Sequence, residues 1–384
     1  MTKWNKLAVE DCIETVATTE KIQRKDFLIA GRFPIVSQEA EFINGYWDDE
    51  SAVLKLHRPV IVFGDHTQVL KFITFDFVRG ADGVKILSPK PFLDPKFFYY
   101  ALMANPVRTL GYARHYRLLA KAEIQFPQEL TEQKRIVAIL DEAFEAIAKA
   151  TANAERNLAN ARELFETCIE ASIDKQRSDH GETILQDLAT NITDGDHQPP
   201  PKSDTGIPFI TISNIDKERH EIDFSDTFLV SETYFHALKD NRRPKEGDVL
   251  YSVTGSFGIP VIVPAGRAFC FQRHIGLIRP KDGISSRWLY YVLRSPSLRA
   301  QADAGATGTA QRTVSLKLLR SLVVPNTPTD EQLDIAERLD VLNSACQSLI
   351  DLHREKVSLL SALKQSLLHK AFSGQLTGKE AIAA

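Results

Sequence analysis

The sequence predicts an α+β protein in which two mixed α/β domains alternate with two long antiparallel helices, the halves related by an internal pseudo-twofold repeat. Three observations carry this. Thr131-Glu132-Gln133-Lys134-Arg135-Ile136, then Ile139-Leu140-Asp141, return as Asp330-Glu331-Gln332-Leu333-Asp334-Ile335, then Arg338-Leu339-Asp340. Glu132/Glu331, Ile136/Ile335, Leu140/Leu339 and Asp141/Asp340 all stand 199 residues apart. A proline precedes each copy, at Pro127 and Pro325. A period this far above the solenoid range means a duplicated domain plus helix rather than stacked repeats.

Composition sets the frame. At 384 residues, about two or three domains are expected. With 43% hydrophobic and 25% charged residues there is material for true cores. Four scattered cysteines (Cys12, Cys168, Cys270, Cys346) argue against a zinc cluster or disulfide framework and for a reducing cytoplasm. The N-terminal residues lack an apolar signal core, and no run approaches the ~18–20 apolar residues of a membrane span.

In chain order, Met1 to about Gln128 reads as an α+β domain. Val60–Phe63 and Phe72–Phe75 read as strands, and Lys96–Met103 as a short helix stopped by Asn105-Pro106. Asn105 to Lys121 follows with Arg108, Arg114, His115, Arg117 and Lys121, interleaved with Tyr112 and Tyr116 and free of acids. A long helix is predicted from Thr131 to about Asp174. Ile136, Ile139/Leu140, Ala143, Ile147, Ala150, Ala154, Leu158, Ala161, Leu164/Phe165, Cys168 and Ile169 keep three-and-four spacing, with no Gly or Pro between them. Such a rod is about 65 Å long, and its surface is acidic.

A polar linker is predicted at Lys175–Gly181, then a second domain from about Glu182 to Pro325. Gly206–Ile215, Gly247–Ser252, Val261–Val263 and His274–Ile278 read as strands, and Ser286–Leu293 as the counterpart of the first aromatic helix. Between Arg242 and Arg320 thirteen bases face four acids, in a chain of formal net charge −3. Such asymmetry suits a polyanion, because phosphate contacts release condensed counterions. The second helix runs from Asp330 to about Phe372. In antiparallel packing Ile136–Ile169 would face Leu349, Leu352, Val357, Leu360, Leu363 and Leu367.

Catalytic signatures are missing from the sequence. The only Pro-Pro run, Gln198-Pro199-Pro200-Pro201-Lys202, is not the Asn/Asp-Pro-Pro-aromatic loop of an adenine methyltransferase. Gly374-Gln375-Leu376-Thr377-Gly378-Lys379-Glu380 is one residue short of a phosphate loop and has Glu where Ser/Thr must bind magnesium. Gly255-Ser256-Phe257-Gly258 lacks the third glycine of a dinucleotide fingerprint. No two histidines stand at a metal-ligand helical spacing.

The order of these features resembles the specificity (S) subunit of type I restriction-modification systems, over nearly the whole chain. The resemblance is carried by the Glu132-Gln133 and Glu331-Gln332 helix starts and the tail Leu367-Leu368-His369-Lys370-Ala371-Phe372-Ser373-Gly374-Gln375-Leu376-Thr377. Asp194-Gly195-Asp196-His197, Gly206-Ile207-Pro208-Phe209-Ile210, Asn214-Ile215 and Thr254-Gly255-Ser256-Phe257-Gly258 add to it. So do Phe63-Gly64-Asp65-His66-Thr67, Phe75-Asp76-Phe77 and Gly80-Ala81-Asp82-Gly83. The first domain lacks the Gly-Ile-Pro-Phe and Thr-Gly-Ser marks, as expected if each domain reads a different half-site.

The resemblance implies target-recognition domains at 1–129 and 182–326 and conserved helical regions at 130–175 and 327–378. It further implies a non-enzymatic, cytoplasmic subunit that reads a bipartite double-stranded DNA target. Two methyltransferase (M) subunits and the motor-nuclease (R) subunits would be its partners. S-adenosylmethionine, ATP and magnesium would belong to those partners and no cofactor to this chain. For DNA contact the polar loop residues are the candidates, since Arg and Gln make bidentate contacts to guanine and adenine. These are Asp65, His66, Thr67, Lys71, Arg114, His115 and Arg117 in the first domain. In the second they are His197, Lys202, Thr254, Ser256, Arg273, His274, Gln311 and Arg312. The alternatives are a coiled-coil scaffold, a DNA-binding protein without a defined target, and a nuclease with a dispersed active site.

Overall fold

The structure is a computed structural model that describes residues 3–17, 19–111, 113–308 and 311–375. Tyr112 and the tail residues 376–378 of the sequence reading lie outside the described residues. The chain divides into two compact units, 1–155 with 354–384, and 156–353. Each unit holds one mixed domain and an antiparallel pair of helix segments.

In the first unit, Trp4–Ala8 pairs antiparallel with Glu123–Pro127, closing the domain at its base (Trp4 opposite Pro127). A four-stranded sheet follows in the order Ile13–Glu14, Val84–Pro89, Val60–Gly64, Leu70–Ile73. Val60–Gly64 is buried at every position, as expected of a continuous apolar run at the middle of a sheet. A second sheet is built on Phe77–Gly80 and Phe33–Val36. The helix Pro95–Ala104 starts where Asp94 accepts hydrogen bonds from the Lys96 and Phe97 amides, with Pro95 in the first turn. It buries Phe97, Phe98, Tyr100, Ala101 and Leu102. The same core takes in Ile136 and Leu140 of the first long helix and Leu368, Ala371 and Phe372 of the second.

The second unit repeats the plan. Glu182–Ile184 pairs with Val323–Pro325. A four-stranded sheet runs in the order Ala189–Asp194, Ile275–Pro280, Val249–Ser252, Pro260–Ile262. A three-stranded sheet centres on Ile207–Ile210, with a small hairpin at Ile215–Asp216 and Glu221–Ile222. The helix Ser286–Arg294 starts at Ser285, whose hydroxyl accepts the Trp288 amide. Its core joins Trp288 and Tyr291 to Phe165, Ile169, Ile173, Ile335, Ala336, Leu339 and Cys346 of the long helices.

The repeated Gln and Asp of the helix starts have one structural job in both copies. Buried Gln133 accepts the Asp94 amide (2.8 Å) and donates to the Pro127 and Phe92 carbonyls (2.9 and 3.0 Å). Gln332 accepts the Ser285 amide (2.8 Å) and donates to the Thr327 carbonyl (2.8 Å). Asp141 receives the Tyr100 hydroxyl (2.5 Å) and Lys96 Nζ (2.7 Å). Asp340 receives the Tyr291 hydroxyl (2.5 Å) and the Arg287 guanidinium. The joint between domain and rod is therefore specified twice in the same chemistry, and burial pushes the Tyr291 phenol up to about 12.

Two expectations need correction. The first long helix spans Leu130–His180, so Lys175–His180 is helix rather than linker. No helix breaker occurs in that stretch, Gln176 is buried against Trp288 (2.6 Å), and the stop is Gly181, at φ 72°. The second long helix spans Thr329–Phe372, but Leu349, Leu352 and Leu363 are exposed. Its inward face is instead Ile335, Ala336, Leu339, Cys346 and Ile350 in the second unit, and Leu368, Ala371 and Phe372 in the first. The helix carries apolar residues on two faces, so spacing alone did not select the inner one.

Candidate nucleic-acid interface

Antiparallel register places most of the second domain's candidate residues at one end of its four-stranded sheet; Lys202 lies instead against Phe228 of the three-stranded sheet. Ser252 pairs with Ile275, Tyr251 with Pro260 and Asp194 with Gly276, so the turns after Asp194 and Ser252 and before Ile275 emerge together. Main-chain bonds then tie them. Arg273 donates to Asp196 O (3.0 Å) and Val253 to His274 O (2.9 Å). Gly255 donates to Arg312 O (3.1 Å), and Thr254 bridges Thr313. Gly255 adopts φ 72°, a left-handed conformation that costs glycine little, so the turn opens towards Arg312.

The side chains are distributed unevenly over this end. His197, Lys202, Ser256, Arg273, Gln311 and Arg312 are exposed, His274 is half-buried and Thr254 is buried. Burial, and then the neighbouring Arg273 charge, hold His274 below its ordinary value, so it is neutral at physiological pH. His197 Nε2 lies 2.9 Å from Asp194, and Lys202 sits over the Phe228 ring. Arg312 is held by the Asp303 carboxylate (2.6 Å) and lies over the Phe257 ring.

The same end of the first domain carries its candidates. Gly64 pairs with Val84 and Phe63 with Leu70, which brings the turn at 65–69 to the end that holds Ala81–Gly83. His66 Nδ1 lies 3.2 Å from Ala113 O, and Thr67 donates to Gln38 O (2.5 Å). Arg114 and Arg117 are exposed. Asp65, Lys71 and His115 are 3%, 4% and 0% exposed and engaged inside the domain. Lys71 Nζ donates to Glu41 O and to Asn44 Oδ1 (3.0 Å). In this conformation none of the three presents its polar group to a ligand, a burial that loop polarity in the sequence does not reveal.

The excess of bases in the second domain is also smaller than the local count suggests. Arg279 makes a two-pronged contact with buried Asp248 (2.9 and 2.8 Å). Lys245 pairs with Asp240 and Arg242 with Asp194. Arg320 donates to Ile192 O and Lys281 to Asp187 O. Acids outside the counted window neutralise part of it. One contributor escaped sequence reading: Lys217 Nζ donates to Ser256 Oγ (2.9 Å) from a turn in which Asp216 accepts the Glu218 and Arg219 amides. An Asp whose side chain can accept the amides two and three residues on is an Asx-turn signal that could have found it.

Residues 192–357 match the family described as type I restriction modification DNA specificity domain. The EcoBI specificity subunit of Escherichia coli is 26% identical over 205 residues, 52% of this chain and 43% of that protein. The EcoKI specificity subunit of Escherichia coli strain K12 is 26% identical over 209 residues, 51% of this chain and 43% of that protein. The chain is thus similar to type I specificity subunits over about half of its length. Its matched stretch spans less than half the length of those two relatives. The fold agrees with solved structures. A chain from work on complex assembly and conformational transition of the type I R-M system superposes with TM-score 0.73 at 19% identity, covering 97% of this chain and 98% of that one. The HsdS subunit from Thermoanaerobacter tengcongensis gives 0.51 at 18% identity, with 97% of each chain covered. Two α+β domains with two long helices are thus the architecture of this chain. Among the described residues no cluster of metal-ligating side chains occurs, and no helix is long and apolar enough to cross a membrane.

Proposed function

We propose that this protein is the sequence-reading subunit of a type I restriction-modification complex, with target-recognition domains at 1–129 and 182–326 and conserved helical regions at 130–175 and 327–378. The observation that carries this reading is the equivalence of the two sheet ends. Each presents a turn after the central strand and a basic loop before the long helix, in two domains joined to their helices by the same Gln and Asp contacts. Each end reads half of a bipartite double-stranded DNA target, and the helices set the unread spacer. Exposed Arg114, Arg117, Lys202, Arg273, Gln311 and Arg312, with His66, Thr67, His197, Ser256 and His274, supply phosphate and base contacts. Phosphate contacts position the protein, and base contacts specify the sequence.

The subunit performs no chemistry itself. Two methyltransferase subunits dock on the helices and bring S-adenosylmethionine; the motor-nuclease subunits bring ATP and magnesium. The second helix supports docking through exposed apolar residues on each segment, Val341, Leu349 and Leu352 in one unit and Leu359 and Leu363 in the other. Exposed apolar stripes of this kind mark protein contacts. The complex acts on cytoplasmic DNA.

The test is co-expression with the neighbouring methyltransferase and genome-wide mapping of methyladenine. A split motif that needs this protein is expected; the same methylation from the methyltransferase alone would refute the reading. Inserting one heptad after Ala154 should lengthen the spacer or abolish activity, and an unchanged spacer with full activity would rule out the ruler.

A further inference from the structure

We infer that Asp65 and His115 are the positioning pair of the first domain: they fix the basic loop 105–115 on the turn at Gly64–Asp65, and so set which bases its arginines meet. The inference rests on the DNA-reading function proposed above. His115 is fully buried, yet both ring nitrogens are used. Its Nε2 accepts the Leu110 amide (3.0 Å), so Nδ1 carries the proton and donates to Asp65 O (3.0 Å). The His115 amide donates to the same carbonyl (2.8 Å). Asp65 Oδ1 accepts the Tyr116 amide (2.7 Å) at the start of the helix Tyr116–Lys121, and the Asp65 amide donates to Gly83 O (2.6 Å).

Two side chains therefore hold this loop at Leu110 and at its junction with the helix that follows. Arg108 and Arg114 lie in that loop, and Arg117 lies in the first turn of the helix that Asp65 caps; all three are exposed. An arginine fork reads a guanine edge only when its backbone is held to within about 0.5 Å. Without Asp65 or His115, the Tyr116 or Leu110 amide loses its acceptor and the loop is free to shift. Asp65 and His115 thus act through the arginines, without touching DNA.

The experiment uses the full chain with its methyltransferase, mapping methylated motifs for Asp65→Ala, His115→Ala and Asp65→Asn well below each variant's measured melting temperature. The two alanine variants should tolerate wrong bases in one half of the split target, with discrimination falling about tenfold per position. The other half should be read as before. Asp65→Asn keeps an oxygen that accepts the Tyr116 amide and should retain the motif. Three results overturn the inference: equal relaxation of both halves, an unchanged motif in the alanine variants, or an Asn variant as impaired as the Ala variant. A wild-type protein that supports no split motif overturns the functional reading, and this inference with it.

Discussion

In the first domain the basic loop is held by the side chains of Asp65 and His115; in the second, the corresponding loop is held by its main chain. There Thr307 and Thr313 exchange amide–carbonyl bonds (3.0 and 2.8 Å), and Val314 donates to Val253 O (2.8 Å). Main-chain ties survive most substitutions, whereas a buried side-chain tie is lost with one residue. The second domain can thus vary its loop side chains on a fixed frame. The first has committed two polar residues to the frame itself. At the joints with the long helices the relation reverses, since Gln133/Gln332 and Asp141/Asp340 do the same work in both halves.

Breaking those joints should give the largest effects. Gln133→Ala removes the bonds of three main-chain groups, at Phe92, Asp94 and buried Pro127, and should cost about 3 kcal/mol; Gln332→Ala removes those of two, at Ser285 and buried Thr327, and should cost about 2 kcal/mol. Hydrogen-exchange protection of each unit measures this, and equal losses in both units from either variant would contradict local joints.

Acid should separate the units next. His220 is half-buried in the second unit, with Nδ1 3.1 Å from Pro260 O. Burial first, then Arg294, push its imidazole down to about 4, with Arg299 adding to this and Pro260 O and Asp216 opposing it. The unfolded chain takes up that proton near its ordinary pKa and the folded chain does not. Stability of the second unit is therefore full above about 6.5 and falls by about 1 kcal/mol per pH unit towards 4. His220→Asn, compatible with the left-handed φ of 56° at this position, should flatten that slope in pH-dependent denaturation.

Smaller effects are expected at the sheet ends. Arg114→Ala and Arg312→Ala should each weaken DNA binding by about 1–2 kcal/mol and lower the salt slope by about one. Titrations at several salt concentrations check this, and unchanged affinity for both would remove these loops from the interface. Smallest in stability is Leu352→Glu, exposed on the second helix, which should move the melting point by under about 0.5 kcal/mol equivalent. It should nevertheless reduce co-purification of the methyltransferase.

The repeat and the helix starts were legible because Gln133/Gln332 and Asp141/Asp340 recur at a fixed offset wherever the same joint is built. The long-helix seam was legible only on the first helix, where one face is apolar. On the second, Leu349, Leu352 and Leu363 form an equally regular stripe, and only the tertiary partner decides which stripe turns inward. The recognition ends were located by turn residues, but the roles within them were not. Asp65, Lys71 and His115 read in sequence as polar residues like Thr67 and Arg114, yet Lys71 lies in the strand Leu70–Ile73 and all three are engaged by hydrogen bonds to residues as distant as Glu41, Asn44 and Tyr116. Counting bases over 242–320 failed for the same reason, since Asp194, Asp240 and Asp340 reach in from outside the window.

The tilted packing of Phe372 against Phe97, with ring centres 5.0 Å apart, has a consequence in time. The second unit is one unbroken stretch of chain, whereas the first needs residues 354–375 to complete a core begun before residue 126. As a ribosome delivers the chain from its amino end, the second unit can close while the first still waits for Leu368, Ala371 and Phe372. The half of the molecule made first is finished last, and until then its aromatic helix exposes a surface that chaperones recognise.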